Sequence, residues 1–126
     1  MITASLLAVL YFTSPQAYEQ LSIVNYIVKS AEIHGVDSFV ALSLVSCESK
    51  MNPNASGDFR SETGEYMARG IWQFWPNSWN HYSKKYGIKG SRLDPYASTD
   101  VAILMLRDGY WKAWYNCYRY IERNSS

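Results

Sequence analysis

Cysteine and histidine are scarce in this chain of 126 residues, which holds 2 of each: Cys47 and Cys117, His34 and His81. Their spacing fits no zinc pattern, so no metal and no cofactor is expected, and each histidine reads as a surface or internally satisfied residue. A surplus of charge is lacking as well. The 12 Lys and Arg against 11 Asp and Glu leave a net +1, spread along the chain. That balance offers no basic patch and argues against nucleic acid as a partner. Internal repeats and low-complexity segments are absent. The apolar run from Met1 to Phe12 is too short to span a bilayer comfortably, so no integral membrane span is expected. It has the length of a signal peptide's apolar stretch, with Ser14-Pro15-Gln16-Ala17 near a candidate cleavage point, but no positive residues precede it. Residues 1–14 are read as a signal-like apolar leader, and a helix attached to the domain is the alternative.

What remains suits one small domain over residues 15–126. The chain is 48% hydrophobic and 18% charged, enough to bury a single core with little room for a second. The pattern is mainly helical (α+β). Ser14 caps a helix with Pro15 in its first turn, and Leu21, Val24, Val28 and Ala31 form its inward stripe up to Gly35. Asp37 caps a second helix that runs to Ser49. Gly57 to Phe74, with Gly64 inside it, reads as a loop with room for a short β-hairpin. Pro76 opens a helix ending near Gly87, and Asp94-Pro95 opens a longer one that carries Val101, Leu104 and Met105 toward Gly109. A last short helix is expected over Trp111 to Ile121.

One residue breaks the apolar pattern. Ala41, Leu44, Val45 and Glu48 fall at the i, i+3, i+4, i+7 spacing of one helix face. A carboxylate suits that stripe only where it is needed. Partial burial and the negative end of the helix dipole both disfavour its ionised form and raise its pKa. A carboxyl that stays protonated near neutral pH is what a general acid requires. The competing reading is a structural Glu paired with Arg69 or Lys50, or one fraying outward at the helix end.

Glu48-Ser49, then Asn52-Pro53-Asn54-Ala55, then Gly70-Ile71-Trp72-Gln73-Phe74-Trp75-Pro76 resembles the soluble lytic transglycosylase catalytic domain, of lysozyme-like fold. The resuscitation-promoting factors are similar too, through Cys47-Glu48-Ser49, Ile71-Trp72-Gln73-Phe74 and Trp114-Tyr115-Asn116-Cys117. The likeness covers roughly Ala17 to Cys117 and is strongest from Cys47 to Trp79. The link from Gly57 to Ala68 is longer than the transglycosylase pattern has, and the late Ala-Tyr-Asn-x-Gly motif survives as Tyr115-Asn116.

The resemblance implies cleavage of the β-1,4 bond between N-acetylmuramic acid and N-acetylglucosamine in peptidoglycan glycan strands. Glu48 would be acid and then base, leaving 1,6-anhydro-muramic ends. Ser49 would hydrogen-bond near the carboxyl, and Gln73, Phe74, Trp75 and Tyr115 would meet substrate. The chain's 5 Trp and 11 Tyr divide between core packing and flat faces for sugar rings. A hydrolytic muramidase is the alternative. It needs a second carboxylate, for which Asp58, Glu62 and Glu65 are the candidates. A non-catalytic wall-binding or particle-associated protein is the other alternative. On residues alone Cys47 and Cys117 could be reduced or paired; the resemblance implies that they pair. A monomer is expected, exported to the periplasm, wall or medium, or carried on a virion if the source is a bacteriophage.

Overall fold

The computed structural model describes residues 14–124; the leader expected over residues 1–14 lies outside them, save Ser14. In chain order the elements are α1 (Pro15–Ile33), α2 (Ser38–Ser49), β1 (Ser56–Arg60), β2 (Glu65–Arg69), α3 (Pro76–Tyr86), α4 (Pro95–Arg107), a 3-10 turn (Trp111–Trp114) and α5 (Tyr115–Asn124). The strands pair antiparallel, with Phe59 opposite Tyr66 and Gly57 opposite Ala68. Among the described residues, five helices with one small hairpin give the mainly α, lysozyme-like fold.

Local chemistry sets the helix starts. Ser14 accepts a hydrogen bond from the Ala17 N–H, Asp37 from Phe39 and Val40, and Asp94 from Tyr96. These side chains satisfy amide groups that the first turn leaves unpaired. Proline fills the first position of α1, α3 and α4, where its missing N–H costs nothing.

Packing then selects the faces. In α2, Ala41, Leu44 and Val45 are fully buried, as their spacing requires. In α1 the buried residues are Ile23, Ile27, Ser30 and Ala31, while Leu21 is 42% exposed and Val24 and Val28 are half-buried. The expected stripe therefore lies to one side of the real one. The helix is apolar on more than one side, and contacts with both α2 and α4 decide which side turns in. The Tyr26 hydroxyl donates to Asp100 on α4 at 2.6 Å and fixes that choice.

Trp72 is the centre of the core, with no exposure. Its indole N–H donates to Thr99 Oγ1 at 3.0 Å, and its carbonyl accepts from the Trp114 indole at 2.9 Å. The Trp114 anchor belongs to the separate 3-10 turn, so the single last helix expected over Trp111 to Ile121 is divided at Tyr115. A disulfide joins Cys47 of α2 to Cys117 of α5 across 70 residues. In the chain-entropy account, closing a loop of that size contributes about 4 kcal/mol.

Candidate active site

The helix carrying Glu48 ends abruptly. Lys50 and Met51 both take left-handed backbone, at φ 53° and 64°. The chain then doubles back through Asn52, whose side chain accepts from the Asn54 N–H. Gly70 N–H donates to the Ala55 carbonyl and brings the Gly70-to-Phe74 segment against this turn. The buried Ser49 hydroxyl completes the junction, shared between the carbonyls of Val45 at 3.1 Å and Ile71 at 2.8 Å. Its hydrogen is thus committed to main chain, and Ser49 ties the helix end to the glycine-glutamine motif.

That motif is braced from three sides. Gly70 sits at φ +84°, and a Cβ there would collide with the Arg92 carbonyl oxygen, so only glycine fits. Gln73 is left-handed, at φ 52°. Its amide donates to the carbonyls of Gly70 at 2.9 Å and Ala55 at 3.2 Å. A Cβ on Gly57 would approach Gln73 Oε1 to 2.7 Å, so the bare glycine makes room for that amide at the hairpin's base. Arg92 donates to the carbonyls of Met67 and Phe74 and closes the far side.

Glu48 stands half-buried beside this frame. Among the described residues, no hydrogen bond or ion pair engages its carboxyl; neither Lys50 nor Arg69 pairs with it. Burial, and next the charge of Asp58, push its pKa from 4.5 up to about 7. An unpaired carboxyl in that range is half protonated at neutral pH and can both give and take a proton.

The three candidate second carboxylates separate clearly. Asp58 lies in β1 and its charge acts on Glu48. Its Oδ2 accepts from the Trp75 indole N–H at 2.9 Å, and the Arg60 guanidinium lies 4.9 Å from the same ring's centroid. Glu62 falls in the exposed turn between the strands. Glu65 opens β2, and its charge is felt by Arg92. Neither of these two acts on Glu48.

The expected substrate contacts separate too. Trp75 is half-buried at the head of α3. Phe74 is only 3% exposed and packs edge-on against Trp79 and Trp114, at 5.3 and 5.8 Å between ring centroids. It belongs to the core and does not line a groove, because the left-handed Gln73 turns the next side chain inward. Tyr115 is 52% exposed and stacks on Trp111 at 6.2 Å. No hydrogen bond or ring contact joins it to Glu48, Gln73 or Trp75 among the described residues. The Trp75–Asp58 bond and the Arg92 brace escape the linear sequence, since both need a closed hairpin; the Gly57-Asp58 pair signals only a turn.

One surface groove, about 650 Å³, is apolar and includes Phe39, Leu42, Met51 and Ile121. It takes in Cys47 but not Glu48, and no carboxylate or histidine lines it. The half-buried Glu48 carboxyl lies apart from that groove, on α2. No curated protein and no solved structure matches the chain. The model of the transglycosylase SLT domain family does, over residues 25–120, and the chain belongs to that family.

Proposed function

We propose that this protein is a peptidoglycan lytic transglycosylase that cuts the β-1,4 bond between N-acetylmuramic acid and N-acetylglucosamine with one catalytic carboxyl, Glu48. The observation that carries this reading is the unpaired, half-buried Glu48 whose pKa is raised to about 7. Its protonated form gives a proton to the bridging oxygen as the bond from muramic acid C1 to that oxygen breaks. The resulting carboxylate then takes the proton from the sugar's own C6 hydroxyl, whose oxygen closes on C1. Glu48 returns to its protonated state, no water is consumed, and a 1,6-anhydro end is left. Gln73 and Trp75, held at the hairpin's base, border the glycan strand, and Ser49 keeps the helix end in place. Tyr115 meets the strand from the α5 side.

A hydrolytic muramidase is the second reading, and Asp58 is what favours it. Of the three acids in the hairpin segment it alone acts on Glu48, so it is the one to hold a water. The disulfide suits an oxidising compartment. We place the enzyme outside the cytoplasm, working as a monomer on the wall, or on a virion.

The test is Glu48→Gln, assayed by the turbidity of a cell-wall suspension. Gln keeps the shape and cannot deliver the proton, so nearly all lytic activity should vanish with the circular-dichroism spectrum unchanged. Substantial activity in a folded variant would remove Glu48 from its role.

A further inference from the structure

The indole of Trp75 occupies an unusual place between opposite charges. Asp58 and Arg60 are two apart on β1 and both reach Trp75. The ring edge donates its N–H to the carboxylate at 2.9 Å, and the ring face receives the guanidinium at 4.9 Å. Opposite charges two apart on a strand lie close enough for a direct Asp58–Arg60 ion pair. It does not form among the described residues. The backbone is bent to the same end. Asp58 is left-handed at φ 53° within a strand, a departure from extended backbone that re-aims its side chain.

We infer that Trp75 is a positioning residue for the general acid: its N–H anchors the Asp58 carboxylate within electrostatic reach of Glu48, and its face keeps Arg60 from pairing with that carboxylate. The inference rests on the reading of Glu48 as the acid but adds a device that no motif carries. An anchored, unneutralised Asp58 opposes ionisation of Glu48 and so preserves its proton. With the indole gone, Arg60 is free to close on Asp58, and the opposing field fades. Asp58 is the charged group that acts on Glu48; Arg60 reaches it only through Asp58, and Lys50 on the helix's own end forms no pair with it.

The test reads Glu48 directly, by side-chain carboxyl carbon NMR on glutamate-labelled protein, with the resonance assigned from Glu48→Gln. In the unaltered protein the titration midpoint should lie near 7. Asp58→Asn, which keeps the shape and tolerates left-handed backbone, should lower it. Trp75→Leu, which removes both N–H and ring face, should lower it likewise. Adding Arg60→Gln to Trp75→Leu should bring it back up. A midpoint in Trp75→Leu equal to that of the unaltered protein would overturn the inference, as would the failure of Arg60→Gln to reverse the shift. These readouts need no catalysis. A protein that titrates as described and yet leaves cell walls intact would sink the proposed function and spare the role of Trp75.

Discussion

Replacing Glu48 with Gln should stabilise the protein in alkaline solution and leave it nearly unchanged in acid. Glu48 has a folded pKa of about 7 against an ordinary 4.5. Between those values the folded state binds a proton that the unfolded chain does not, so stability is full below about 4.5 and is lost as pH rises through about 7. At about 1.36 kcal/mol per pH unit, the fully buried limit of that loss is about 3 kcal/mol. Glu48 keeps some contact with solvent, and screening brings the figure to about 1–2 kcal/mol. Glutamine never ionises and escapes the loss. For a chain of this size the gain moves the melting midpoint by about 3–8 °C. Thermal unfolding followed by circular dichroism at pH 4 and at pH 8.5, on parent and variant, isolates the effect, because most other titrating groups cancel in the comparison. A variant less stable than its parent at pH 8.5 would show Glu48 to be part of a structural ion pair, and the general-acid reading would fail with it.

Two further outcomes follow from the same structure. The lytic rate should decline as pH rises through about 7, since the first step needs the Glu48 proton; a rate that holds constant to pH 9 would exclude that group. Replacing Cys47 and Cys117 together by serine should cost about 4 kcal/mol on the chain-entropy account, read as a lower denaturation midpoint. Two alkylatable thiols in protein folded under oxidising conditions would refute the bond itself.

The parts of this fold written in local chemistry were legible in the sequence. Ser14, Asp37 and Asp94 cap the helices they were expected to cap, and the prolines at 15, 76 and 95 stand at first turns. The hairpin appears in the segment set aside for it, beginning one residue earlier, at Ser56. Faces were less legible wherever a helix is apolar on several sides, as in α1, where Ile23 and Ile27 turn inward and Leu21 does not. Around the site, periodicity alone marked Glu48 as a carboxyl on a buried stripe. Phe74, expected to meet substrate, packs in the core, and the left-handed turn at Gln73 before it is invisible in a linear motif. The choice of Asp58 over Glu62 and Glu65 needed the strand register and the reach of Trp75, which no spacing rule encodes.

The central claim is that Glu48 serves as both acid and base and that water takes no part. Digestion of peptidoglycan in water enriched in heavy oxygen, with mass spectrometry of the released muropeptides, tests it most directly. The expected products carry no label at muramic acid C1 and are lighter than the reducing sugar by one water. Heavy oxygen at C1 would contradict the claim and establish a muramidase, with Asp58 as the residue that holds the water.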